Sequence, residues 1–334
     1  RKETPQIDAI AASVVGVETP GLAIMVMRHG DVLLAKGYGR ADVERNAPVT
    51  PDTVFDLASV SKQMTALIAL RFALDGRLDL DAPLGRALPA FDRDSGGARP
   101  ITAMDVIHHV SGLPDYTGEF TPVLTNDDVV AWANGQTLEF APGTRFSYSN
   151  TGYVVLASAL AEIAGASSFA DVLEQVVFGP LAMASAAAPY PRAGLPPAQI
   201  ATGYARVGGG FEISSDPGPI AGDGSVFASL NDLARYEAAL DGHRLLDADA
   251  TARLFANGHF DNGEPIADEE GDGYGFGWSL GGGLAWHSGS WSGTSAYYLR
   301  DLESGLSVIV LANAEGVAAG DIACAVAQLY GACE

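Results

Sequence analysis

Apolar and polar positions follow two different periods along this chain, and the change of period marks its organisation. Near the start, "GLAIMVMRHGDVLLAKGYG" (21–39) is two β-rich runs on either side of His29-Gly30, a dipeptide with hairpin-turn chemistry. Near the end, "TSAYYLRDLESGLSVIVLAN" (294–313) repeats that pattern around a polar turn at 301–305, and "GVAAGDIACAVAQLY" (316–330) then reads as a helix. Residues 5–16 predict a further helix. From about 61 to 175 the apolar residues recur at helical spacing instead, in "MTALIALRFALDG", "TAMDVIHHVSG", "NDDVVAWANG" and "GYVVLASALAEIAG". Each of these stretches ends in glycine, which predicts left-handed helix termini. The Ala-, Pro- and Gly-rich stretch 186–224 predicts loop, and no internal repeat is present. The expected class is α+β: a mainly antiparallel sheet built from both chain ends and flanked by helices, with a helical lobe inserted between. The boundaries drawn are 1–60 with 215–334 for the sheet domain and 61–214 for the helical one.

One helix breaks its own pattern. Residues 60–74 carry apolar side chains on nearly all sides, which predicts a buried helix, yet Lys62 lies inside it. The chain has only three lysines, Lys2, Lys36 and Lys62, so this one is not one surface lysine among many. Burial favours the neutral amine, and a neutral amine is a usable base. Ser59, three residues earlier, shares its helix face, whereas Ser61 lies roughly 200° around from Ser59. Ser59 is therefore the candidate nucleophile, at a helix N-terminus whose N–H groups favour an oxyanion. Taken alone, the tetrapeptide fits an N-cap serine and a lysine snorkelling to water better, because Ser-x-x-Lys is common by chance.

Two more stretches add to it. In "RFSYSNTGY" (145–153), Tyr148 and Asn150 sit two apart, and alternating extended positions point both the same way. A phenol beside an ammonium ionises more readily and can act as a base. The plainer alternative is that Asn150 caps the helix from 152 and Tyr148 packs. In "AWHSGSWSGTSAYYL" (285–299), His287-Ser288-Gly289 precedes a strand. Gly289 would let a ligand approach the backbone, and the N–H of Ser290 could complete an oxyanion hole with that of Ser59. A turn with a satisfied histidine is the alternative there.

Charge narrows the field. The net charge of -22 leaves no basic stripe for nucleic acid, and no run of ~20 apolar residues spans a membrane. No Cys/His cluster has metal-site spacing. Cys324 and Cys333 are nine residues apart, ~13 Å of rise on a continuous helix, so two ordinary thiols are expected. A disulfide is the alternative if the chain is exported and turns back after Gly331. The start "RKETPQ" has no charged-then-apolar leader. The expectation is a periplasmic or secreted protein whose signal segment is absent from this chain, with a cytoplasmic one as the alternative.

The three stretches in order, Ser59-Val60-Ser61-Lys62, Tyr148-Ser149-Asn150 and His287-Ser288-Gly289, resemble the serine β-lactamase and penicillin-binding protein superfamily. The likeness is to the branch with class C β-lactamases, D-alanyl-D-alanine carboxypeptidases, D-aminopeptidases and family VIII esterases. "VIHHVSGLPDY", "APGTRFSYSN" and "YGFGWSL" add to it, and it covers roughly residues 8–331. The resemblance implies a β-lactamase/transpeptidase-like fold with the site between its two lobes. It implies a serine hydrolase needing no metal or cofactor and acting on a small-molecule or peptide substrate. Ser59 would form an acyl-enzyme, Lys62 and Tyr148 would shuttle the proton, and Asn150 would position Lys62 and substrate. Class C β-lactamases carry Lys-Thr-Gly where this chain has His287-Ser288-Gly289. Histidine is largely neutral above neutral pH, so binding of a substrate carboxylate should be weaker or pH-dependent. That ranks an esterase or D-alanyl/D-amino-acid peptidase above a β-lactamase, with a non-hydrolytic receptor or scaffold as the different-class alternative. Specificity is expected to rest on loops 115–126 and 186–224.

Overall fold

The β-rich runs at the two chain ends pair with each other. In the computed structural model, which describes residues 2–93, 96–118 and 125–333, strand β1 (Leu22–Arg28) lies between β2 (Asp31–Tyr38) and β7 (Leu306–Ala312). Strands β3 (Gly273–Tyr274), β4 (Ser279–Gly281), β5 (Leu284–Trp291) and β6 (Thr294–Asp301) complete a seven-stranded sheet in the order β2-β1-β7-β6-β5-β4-β3. Every pair is antiparallel. The first hairpin turns through His29 and Gly30, both at positive φ (49° and 77°), the conformation a two-residue hairpin turn requires.

Strand β1 is apolar from Leu22 to Met27 because both its faces are covered. Leu22, Ile24 and Val26 join Val308 and Val310 against α1 (Thr4–Ala12) and, at the C-terminal end, a helix over Ala319–Gln328. Ala23, Met25 and Met27 join Ile309 and Leu311 on the opposite face, in a core continuous with the helical part of the chain. At the centre of that core stands α2 (Lys62–Leu74), buried on all sides as its composition requires. Against it pack α5 (Asn150–Ala164) and α8 (Ala248–Leu254); α3 (Ala103–Ile107), α4 (Asn126–Asn134) and α6 (Phe169–Leu173) pack on α5, α7 (Leu230–Asp241) lies against β1 and β2, and the C-terminal helix is α9.

Several local expectations need correcting. Gly76 and Gly165 are left-handed, but Gly135 has φ -84°, and Gly112 lies beyond the helix it was expected to end. That helix, α3, stops at Ile107, and His109 itself takes a left-handed φ of 57°. The 186–224 stretch is not all loop: Tyr204–Val207 and Gly210–Ile213 form a hairpin around Gly208-Gly209. Cys324 and Cys333 are not two thiols but a disulfide, with Cα atoms 5.5 Å apart. The helix that would have separated them ends at Gln328, and Gly331 (φ 84°) turns the chain back.

Candidate active site

The candidate nucleophile sits on a tight turn rather than on the α-helix itself. Ala58–Ser61 is a 3₁₀ turn that runs directly into α2. Residues three apart eclipse in such a turn, which brings Lys62 Nζ to 3.1 Å from Ser59 Oγ. Ala58 enters the turn at φ 46°, left-handed for a non-glycine residue, and its N–H donates to Asp56 Oδ1 at 2.8 Å. Ser61 is buried, with its hydroxyl accepting the Val226 N–H at 3.0 Å, so it points away from the chemistry as expected.

Lys62 is fully buried, and its Nζ has three oxygen partners. Besides Ser59 these are Asn150 Oδ1 at 2.7 Å and the main-chain carbonyl of Asp223 at 2.6 Å. The last two only accept, so they take two N–H bonds in either protonation state. The third position faces Ser59: an ammonium donates there, and a neutral amine offers its lone pair. Asn150 is held in this orientation by Asp115, whose Oδ2 accepts from Asn150 Nδ2 at 2.9 Å and from its main-chain N–H at 3.1 Å. A carboxylate accepts only, so the amide cannot be the other way round. The Asp223 carbonyl is fixed by its neighbours, since Thr65 donates to Gly222 O (2.7 Å) and Val226 donates to Ser61.

Tyr148 approaches from the opposite wall. Its ring centroid lies 4.8 Å from Lys62 Nζ, and the side chain is 38% exposed at the cavity. Ser149 is extended and is the N-cap of α5, its Oγ accepting from Gly152, while Asn150 opens the helix. The cap expected of Asn150 therefore belongs to its neighbour, which leaves the Asn150 side chain to Lys62.

His287, Ser288, Gly289 and Ser290 lie on β5, opposite Tyr298, Tyr297, Ala296 and Ser295 of β6. Gly289 is where β5 meets the nucleophile's turn: a Cβ there would stand 2.4 Å from the Leu57 carbonyl oxygen and 3.2 Å from Ala58 Cβ. The chain's own backbone, not a ligand, needs that space. His287 is 4% exposed. Its Nδ1 faces the Ser288 carbonyl at 2.6 Å and so carries the proton; its Nε2 accepts from the Tyr274 hydroxyl at 2.8 Å. Burial, with the Lys62 charge adding, pushes its pKa down to about 3. The ring is neutral and both its nitrogens are taken, which fits the weaker of the two expected carboxylate contacts and not the pH-dependent one.

A cavity of about 980 Å³ opens over Ser59, Tyr148, Asn150 and Ser290. Tyr116–Gly118 and Asp216–Ile220 form part of its wall, from the two loops on which specificity was expected to rest; residues 119–124 of the first lie outside those described. Trp291 Nε1 donates to the Asp216 carbonyl (3.2 Å), tying the second loop to β5. The wall includes Asp56, Asp216, Asp223 and Asp268 and, among the described residues, no arginine or lysine. Burial raises the Asp223 carboxyl, which accepts from Tyr116 Oη at 2.8 Å, and raises Asp56 to about 6, with the Asp223 charge adding. Among the described residues no group of three His, Cys, Asp or Glu could hold a metal ion.

Sequence reasoning thus brought Ser59, Lys62, Tyr148 and Asn150 together and missed Asp115, Asp223, Tyr274 and His109. Asp115 and His109 lie in "VIHHVSGLPDY", where a Gly-Leu-Pro turn between polar residues was an available signal. The Asp223 contact is a main-chain carbonyl and has no sequence signature.

A family model described as Beta-lactamase matches residues 7–331. A penicillin-binding protein of Bacillus subtilis is 30% identical over 324 residues, covering 87% of this chain and 68% of its own length. A D-aminopeptidase of Gluconobacter oxydans is 30% identical over 309 residues, covering 88% of this chain but only 56% of its own length. Among solved structures, an octameric penicillin-binding protein homologue from Pyrococcus abyssi aligns with a TM-score of 0.83 at 27% identity, over 99% of this chain and 77% of that one.

Proposed function

The chain belongs to the Beta-lactamase family, and from that premise we propose that it is a serine hydrolase that cleaves ester or amide bonds through an acyl-enzyme. The observation that carries this reading is the Lys62 environment. Two fixed acceptors leave its remaining position to Ser59, so the Lys62 amine, when deprotonated, is placed to take the Ser59 proton as Oγ attacks the carbonyl carbon. Tyr148, over the same amine, passes the proton to the leaving group and then draws one from the water that releases the acyl group. The amides of Ser59 and Ser290 hold the oxyanion, with Gly289 setting their separation. In this reading the substrate enters between a sheet lobe, 1–60 with 215–334, and a helical lobe, 61–214.

The substrate class we assign is an ester or a D-aminoacyl peptide or amide, ahead of a β-lactam. A β-lactam antibiotic carries a carboxylate beside the scissile bond. Here His287 is neutral with both nitrogens engaged, and the described cavity wall offers no arginine or lysine. No single helix among the described residues is long and apolar enough to cross a membrane. The Cys324–Cys333 disulfide supports an exported, oxidising location.

The test is turnover of a short-chain p-nitrophenyl ester, a D-alanine p-nitroanilide and nitrocefin by wild type and Ser59→Ala. Ser59-dependent turnover of the first two above the third is expected. Turnover undiminished in Ser59→Ala would mean that another residue is the nucleophile. A stable adduct without turnover would indicate a receptor, and no adduct a scaffold.

A further inference from the structure

We propose that His109 is a positioning residue that holds the Tyr148 phenol over Lys62. The inference rests on the proton-transfer role assigned to Tyr148 and adds to it.

Three contacts from His109 converge on the segment 147–149. Its carbonyl accepts the Ser147 N–H at 2.9 Å. Its Nδ1 accepts the Ser149 N–H at 3.0 Å. Its ring lies under the Tyr148 ring, with centroids 4.2 Å apart and planes 32° apart. The residues on both sides of Tyr148 are thus tied to the residue on which its ring rests. The left-handed backbone at His109, φ 57°, is an uncommon conformation for a non-glycine residue. It follows the early end of α3 at Ile107.

Imidazole suits the place because it combines a flat face with an in-plane acceptor next to the ring's attachment point. That acceptor fixes the tautomer: with Nδ1 accepting, the proton sits on Nε2. Nε2 is buried with no hydrogen-bond partner among the described residues, and the ring is otherwise packed against Tyr153 (5.1 Å) and Tyr274 (4.7 Å). A buried donor left unpaired is unfavourable, so Nε2 does not hold the ring in place and its other contacts must. Burial, followed by the nearby Lys62 charge, holds the ring's pKa well below the usual histidine range. Protonation at Nδ1 would set one N–H against another. Through Tyr274, whose hydroxyl fixes His287, the same ring also touches the third motif.

The test is a double-mutant cycle on the p-nitrophenyl ester, with kcat expressed per active site titrated by a covalent acylating reagent. His109→Asn keeps an acceptor near the Nδ1 position and tolerates the left-handed backbone, but removes the ring. His109→Ala removes both. In the wild-type background kcat should fall by about 10²-fold in His109→Ala, as for a reacting group displaced by about 1 Å, and less in His109→Asn, with KM little changed. In a Tyr148→Phe background, already slow, neither change should reduce kcat further. The same fractional loss in both backgrounds would overturn the proposal, as would an unchanged kcat per titrated site. If Tyr148→Phe turns over like wild type, the role of Tyr148 falls and this inference with it. If Tyr148→Phe is slow but His109 acts independently, only this inference falls. Should His109→Ala not fold, His109→Asn carries the same comparison.

Discussion

Gly289→Ala tests the joint between β5 and the nucleophile's turn. The added Cβ would stand 2.4 Å from the Leu57 carbonyl oxygen. A close C···O contact is about 3.3 Å, so the strand and the turn must part by about 0.9 Å. The Leu57 carbonyl cannot swing aside alone: it accepts the Val60 N–H at 3.1 Å, and the Leu57 N–H donates to Val226 O at 2.8 Å. Movement therefore passes to Ser59 on one side or Ser290 on the other, and the two amides lose their common focus. A misplacement of this size lowers kcat/KM by about 10²-fold, or ~3 kcal/mol of transition-state stabilisation. Overpacking should also destabilise the fold by about 1–3 kcal/mol. The assay is kcat/KM on a p-nitrophenyl ester, alongside thermal unfolding to show that the variant is folded at the assay temperature. Gly210→Ala is the control, since a Cβ there meets only an ordinary 3.7 Å contact with Val207 O. A folded Gly289→Ala enzyme within threefold of wild type would refute the argument that this contact sets the site's spacing.

Two further predictions concern groups behind the site. Asp115→Ala removes the acceptor that fixes the Asn150 amide, and should lower kcat by roughly tenfold while KM stays close to wild type, measured on the same ester; wild-type kcat would show that Asn150 is held without it. His108 and His287 are pushed down by burial to about 4 and about 3, so the folded chain stays neutral there while the unfolded chain gains protons below about pH 6.5. Stability should therefore fall as pH drops from 6.5, by about 2 kcal/mol per histidine at pH 5. His108→Gln should narrow the difference between urea unfolding at pH 7.5 and at pH 5, and an unchanged difference would count against a neutral buried His108.

What the chain reveals before folding depends on how local the cause is. The first hairpin was readable because His29-Gly30 and the β-rich runs beside it are neighbours in sequence, and the buried character of α2 because ten of its residues share one environment. Ser59 and Lys62 were readable for the same reason. Asn150, 88 residues from Lys62, was reached only through the family resemblance, and the Asp115 contact that orients it was not readable. His287 was readable as a neutral ring, but its loss of basicity comes from burial and from Tyr274, neither of which its own segment shows. The Tyr204–Ile213 hairpin was a missed signal, since two alternating runs flank Gly208-Gly209. The disulfide turned on where α9 ends, a boundary that periodicity alone places poorly.

The pairing of β1 with β7 also has a consequence in time. One edge of β1 closes at once on β2, but the other pairs with Leu306–Ala312, roughly 280 residues later. A ribosome adding ~5–20 residues per second needs roughly 15–60 s to cover that interval. For that period the nascent chain carries an apolar strand, Leu22 to Met27, with its backbone open along one side, the arrangement that templates pairing with another chain. Translation speed and chaperone supply therefore bear on the yield of this protein, independently of how stable the finished sheet is.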